Sequence, residues 1–171
     1  MKTNIVLAAA LAAAAVAGVI PAAGKDAKEV ASPAKPDSLW SKQCVKSPEG
    51  KDACFVQQFA IDTTQNTPVL RVAFSYLGPE GKPRLELTAP LGILLTAGLK
   101  MTIDERPPLT LPLQFCQAGG CLAVVDLDQQ ALDQFRNGKS ATVEYVTLDR
   151  KARVLPVKLE GLVAALKTVT P

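Results

Sequence analysis

Residues 109–125 read L-T-L-P-L-Q-F-C-Q-A-G-G-C-L-A-V-V. Leu109, Leu111, Leu113 and Phe115 alternate with Thr110, Pro112 and Gln114, the period-two signature of a half-buried strand. A glycine pair then separates two cysteines, and the apolar run Leu122–Val125 follows. Folding the stretch on itself places Leu113 opposite Val124, Phe115 opposite Leu122 and Cys116 opposite Cys121. Gln117, Ala118, Gly119 and Gly120 form the connecting loop. Alternation and pairing agree on one β-hairpin. Facing Cα atoms lie ~4.5 Å apart in a non-hydrogen-bonded pair, within reach of a disulfide. With Phe115 and Leu122 directed inward, both sulfurs are expected to face outward. A staple on so short a loop would contribute about 2 kcal/mol in the chain-entropy model.

The same punctuation runs through the chain. Leu70, Val72, Phe74 and Tyr76 alternate with Arg71 and Ser75. Leu85 and Leu87 alternate with Arg84, Glu86 and Thr88, and Leu99, Met101 and Ile103 with Lys100, Thr102 and Asp104. Further strands are expected over Ala53–Ile61, Cys121–Val125, Ala141–Leu148 and Arg153–Leu159. Pro156 assigns the last to a sheet edge, because proline cannot donate to a central ladder. Short strands broken by turns such as Gly78-Pro79-Glu80-Gly81-Lys82-Pro83 predict an all-β sandwich or barrel. One short helix interrupts it, with Asp126 or Asp128 as cap, Leu127, Ala131, Leu132 and Phe135 on one face and Asn137-Gly138 as stop. A second short helix, Leu162 to Val169, closes the chain.

The N-terminus belongs to another class. Met1-Lys2, an apolar run from Ile5 to Ile20 and the small residues Pro21-Ala22-Ala23-Gly24 have the layout of a secretory signal peptide over residues 1–24. Residues 25–38, charged and rich in Ala and Pro, read as a flexible leader. The β-domain is expected over 39–171, exported to the periplasm, the cell envelope or the medium, with no membrane span after cleavage. Cleavage would remove Lys2 and leave 18 basic and 16 acidic side chains, a net +2. Intermixed charge of this kind is no nucleic-acid footprint.

The chain contains no histidine. That excludes Ser-His-Asp and Cys-His catalysis and removes the usual zinc ligand and the commonest general base. Four cysteines in an exported chain favour two disulfides. Cys44 and Cys54 enclose a turn, Ser47-Pro48-Glu49-Gly50-Lys51-Asp52, and a local bridge there would contribute about 3 kcal/mol. Four cysteines allow three connectivities, so other pairings stay open. A redox couple at Cys116 and Cys121 competes with a staple, although the spacing is not the C-x-x-C that places a low-pKa thiol at a helix N-terminus. A metal centre would need both pairs to converge.

Other candidates have plain readings. Asp104-Glu105 reads as a solvated turn, and Asp126 and Asp128 as caps, not as a catalytic carboxylate pair. Gly138-Lys139-Ser140 lacks the upstream glycine of a phosphate loop, since Asp133 stands there. Trp40 is expected to cover the sheet or a bridge. No catalytic residue, cofactor or metal ligand is assigned.

The order and spacing of these fragments resemble the bacterial invasion-associated locus B proteins. The resemblance rests on Trp40 with Cys44 and Cys54-F-V-Q-Q, and on A-P-L-G-I-L-L-T-A-G-L-K-M-T-I-D at 89–104. It continues through L-Q-F-C-Q-A-G-G-C-L-A at 113–123, N-G-K at 137–139 and L-P-V-K-L-E-G-L-V-A-A-L at 155–166. It implies an immunoglobulin-like β-sandwich, export to the periplasm or envelope, and cysteines held in disulfides. The family name comes from host-cell invasion by some pathogens, although related sequences occur in bacteria that invade nothing. Thr96-Ala97-Gly98 departs from the turn expected there. These observations point to a non-enzymatic module whose Gln117–Gly120 loop contacts an envelope or host-surface protein or polymer. General envelope maintenance and, less directly, thiol–disulfide chemistry are the alternatives.

Overall fold

A computed structural model describes residues 39–62 and 66–170. The expected signal peptide and leader, residues 1–38, and Pro171 lie outside them. The strands are β1 (Ser41–Lys46), β2 (Asp52–Asp62), β3 (Thr67–Ser75), β4 (Arg84–Ala89), β5 (Leu99–Ile103), β6 (Leu109–Leu111), β7 (Phe115–Gln117), β8 (Gly120–Asp126), β9 (Ser140–Val146) and β10 (Ala152–Lys158). Helix α1 (Gln129–Asn137) joins β8 to β9, and α2 (Leu162–Leu166) follows β10. Two antiparallel sheets form a β-sandwich: one of six strands in the order β1-β2-β3-β4-β8-β7, the other β10-β9-β5-β6.

The core is the product of the alternation. Val56, Leu70, Val72, Phe74, Leu85, Leu87 and Ala123 of the larger sheet meet Leu99, Met101, Leu111, Val143, Leu155 and Val157 of the smaller. Each fully buried side chain of this size contributes about 1.5–3 kcal/mol relative to exposure. At one corner the sandwich is closed by a side chain. Buried Gln58 on β2 donates from Nε2 to the Lys158 carbonyl (3.0 Å) and accepts from the Lys158 N–H (3.0 Å), standing in for a neighbouring strand at the β10 edge. Trp40 donates Nε1–H to the same carbonyl at 3.1 Å and packs edge-on to Phe74, covering the sheet as expected. Pro156 lies on an edge strand, as its missing N–H requires.

Both helices occupy their expected places. Asp128 is the cap, its Oδ1 accepting the Ala131 N–H at 2.7 Å, and Gly138 ends the helix. Asp126 instead pairs with Arg84, Oδ1 to Nε at 2.7 Å. Leu132 and Phe135 are the buried residues of α1, and Leu162 and Leu166 those of α2. The second helix stops at Leu166; hydrogen-bonded turns carry the chain to Thr170.

The opening stretch differs from expectation in a consistent way. Leu109 to Phe115 is not one strand: β6 pairs with β5 in the smaller sheet, and β7 pairs with β8 in the larger. The chain changes sheets at Pro112-Leu113-Gln114, where proline ends the β6 ladder. Two sheets facing each other present opposite sides inward, so alternation carried through the crossing assigns the wrong face. Phe115 is 51% exposed and Cys121 only 1%. The cysteines pair as expected, but toward the core side, because β8 takes its facing from β4: Leu85, Leu87 and Ala89, all buried, lie opposite Val125, Ala123 and Cys121. Leu113 and Val124 are not paired, and Gln117 pairs with Gly120, which reduces the loop to Ala118-Gly119. Strand β1 carries no alternation signal, being exposed along nearly its whole length.

Candidate functional site

Each of the two bridges joins directly opposed residues. Cys44–Cys54 links β1 to β2 with Cα atoms 4.0 Å apart, and Cys116–Cys121 links β7 to β8 at 3.9 Å. The bridges therefore sit at opposite margins of the six-stranded sheet. In the second bridge Cys121 is buried and Cys116 alone is open to solvent, which suits a staple better than a reagent. Among the described residues no group of three or more His, Cys, Asp or Glu side chains could hold a metal ion.

Of the loop singled out in the sequence, Gln117, Ala118 and Gly119 are exposed, while Gly120 is buried against β4. The exposed tip forms one rim of a depression of about 210 Å³ lined by Phe59, Pro68, Arg71, Thr88, Pro90 and Gly119. That depression opens on the outer face of the six-stranded sheet, which sequence reasoning passed over.

The face is built by register. With Val56, Val72, Leu85, Leu87 and Ala123 inward, the intervening positions face out. One row across the sheet runs Phe59, Arg71, Thr88, Leu122, Phe115, each opposite the next. Phe59 is 48% exposed. Arg71 is the hub. Its Nη2 donates to Glu86 Oε1, its Nη1 to Gln57 Oε1 at 3.4 Å and its Nε to Thr88 Oγ1 at 3.4 Å. Its guanidinium stands over the Phe55 ring, 5.5 Å from the centroid. Partial burial draws its pKa below the ordinary arginine value by desolvation. The remaining charges on the face, Arg84 and Asp126, pair with each other.

Three of the five phenylalanines, Phe55, Phe59 and Phe115, thus lie on the outside of one sheet, while Phe74 and Phe135 fill the core. Aromatics and arginine without lysine are the composition of a protein interface core. The signal was present in the sequence as Phe55 and Phe59 four residues apart and as Arg71 in an outward slot. It becomes legible only when strand order brings them together.

Asp104-Glu105 is a turn, but its aspartate also clamps. With φ 49°, Asp104 accepts the Ser140 N–H (3.0 Å) and the Lys139 N–H (3.1 Å), tying the end of β5 to the start of β9. The Ser140 N–H is the main cause holding the Asp104 carboxyl below the usual carboxylate range. A depressed carboxylate stabilises above its ordinary pKa of about 4, and this contribution is lost as pH falls through the lowered value. Asp104→Asn keeps an oxygen acceptor and tolerates the left-handed backbone. Its deficit relative to the native chain in denaturant unfolding should therefore be present near neutral pH and shrink steadily below about pH 4. A deficit constant with pH would remove the carboxylate from that account.

The family model of the invasion associated locus B (IalB) protein matches residues 40–170. The chain belongs to the IalB family. Its fold is similar to the crystal structure of invasion associated protein b from Bartonella henselae. The TM-score is 0.66 and the identity 26%, and the match covers 77% of this chain and 90% of that one. No curated protein matches the chain in sequence. The IalB match takes in both bridges, the outer face and α1, and it begins at Trp40, where the described core begins.

Proposed function

We propose that this IalB-family chain is an exported, non-enzymatic protein that acts by protein–protein association through the outer face of its six-stranded sheet. The carrying observation is the row Phe59, Arg71, Thr88, Leu122, Phe115, where exposed phenylalanines flank a pre-paired arginine. Fixed polar groups beside exposed aromatics lose little freedom on association, which favours binding. Two bridges and an N-terminus laid out as a signal peptide support export. No helix among the described residues is long and apolar enough to cross a membrane. A sequence without histidine supports the non-enzymatic part of the reading.

The association serves host-cell invasion, as the names of the family and of the Bartonella protein suggest, or upkeep of the envelope itself. A deletion strain complemented with the native gene or with the double change Phe59→Ser and Phe115→Ser separates these. Host-cell entry and sensitivity to detergent are scored side by side. The double variant should accumulate normally and fail in one of the two assays, and the assay that fails names the role. Full complementation in both would overturn the reading, since the face would then be dispensable.

A further inference from the structure

We infer that the outer face of the six-stranded sheet is occupied by a second copy of this chain, packed face to face about a two-fold axis. The inference rests on the reading of this face as a protein interface and names its partner.

Charge is the first argument. The strands of this face carry Arg71, Glu86, Arg84 and Asp126 at their outward positions, two cations and two anions already paired as Arg71–Glu86 and Arg84–Asp126. Such a face has no net charge to offer an acidic peptide, an anionic lipid or a polyanion. A second copy suits it, because each brings equal numbers of cations and anions, already paired, and no net repulsion opposes the contact.

Strand order is the second. An axis running along the strands between β3 and β4 exchanges β3 with β4 and β2 with β8. Phe59 of one copy then meets Leu122 of the other, at the same level of the row, and the reverse contact follows from symmetry. Arg71 lies over the β4 strand that carries Thr88 and Glu86. Apolar side chains thus meet apolar ones, and the guanidinium meets groups of the kind it already bonds.

Area is the third. Six strands spaced ~4.8 Å apart and about six residues long give a face of roughly 24 by 20 Å. Two copies would together bury about 1,000 Å², the area at which a specific interface begins. Sheets packed in this way lie ~10 Å apart, a separation that phenylalanine, leucine and arginine side chains fill.

Sedimentation velocity on the oxidised chain, from micromolar to near-millimolar concentration, tests the inference. The native chain should pass from monomer to dimer. Phe59→Ser, at an exposed position, should keep the melting temperature and raise the dissociation constant at least about tenfold. Lys151→Ala, on the β9–β10 turn, should leave it unchanged. A chain that stays monomeric over the whole series, or a Phe59→Ser variant that dimerises like the native chain, would overturn it. The two readings fail separately. A monomeric native chain whose Phe59→Ser and Phe115→Ser variant still loses complementation keeps the face as an interface and gives it to another protein.

Discussion

Phe74→Ala is expected to lower the unfolding free energy by about 3–5 kcal/mol, the largest loss of any single truncation in this core. Phe74 is 1% exposed and touches two other rings edge-on, Trp40 at 5.5 Å between centroids and Phe135 at 5.0 Å. It therefore joins three separate parts of the chain: the entry to β1, the middle of the larger sheet and helix α1. Neither neighbour is free to move into the space. Trp40 is held by its hydrogen bond to the Lys158 carbonyl, and Phe135 belongs to a helix capped at both ends. A cavity that cannot collapse costs its full volume, beyond the lost transfer term. Phe74→Leu, which refills most of the volume, should cost less than half as much. Denaturant unfolding with an unchanged m-value checks both. A loss under about 1 kcal/mol for the alanine variant would mean that the two rings close the gap and that the aromatic chain is not rigid.

The second large effect is expected at a glycine. Gly120→Ala should cost at least about 3 kcal/mol, and Gly119→Ala, one residue away, less than about 0.5. Gly120 has φ 132°, where a side chain is strained, and a Cβ there would stand 2.4 Å from the Ala89 carbonyl oxygen and 2.9 Å from Thr88 Cγ2. The β4 backbone must retreat to admit it. A Cβ on Gly119 meets nothing within 4 Å. Hydrogen exchange in the Gly120→Ala variant should accelerate first in the β4–β8 ladder. Equal stability of the two variants would show that the hairpin, not the ladder, absorbs the added methyl.

The comparison of these two glycines measures how far the sequence could be read. Most strand positions, though not β1 or the break between β6 and β7, the edge placement of Pro156, a helix cap at Asp126 or Asp128 and both cysteine pairings follow from local rules, because period, capping and hairpin register are properties of neighbours in the chain. The facing of Phe115 and Cys121 does not follow from them. It is decided by β4, over thirty residues earlier in the chain, through the pairing of Ala89 with Cys121. Gly120 likewise looks like loop flexibility in the sequence and is a close approach to β4 in the structure. The outer face was illegible for the same reason: Phe59, Arg71, Thr88, Leu122 and Phe115 come from five strands. Alternation marks Arg71 and Thr88 as outward but turns Phe115 and Leu122 inward, and only sheet order makes the five one row. The Arg71 network was beyond local reading as well, since its partners Gln57, Thr88 and Glu86 belong to neighbouring strands.

The placement of the two bridges bears on how the chain reaches this fold. They close spans of 10 and 5 residues, whereas the pairings that seal the sandwich, β4 with β8 and β5 with β9, join segments about 40 residues apart. Closing a short loop is fast and entropically cheap, and long-range pairing is slow. Each cysteine pair can therefore oxidise inside its own hairpin before the central strands have met. Mispairing would require cysteines separated by 60 residues or more to meet first. The two outermost strands are thus hemmed early, and the rate-limiting event falls to the middle of the sheet, where no covalent help is available.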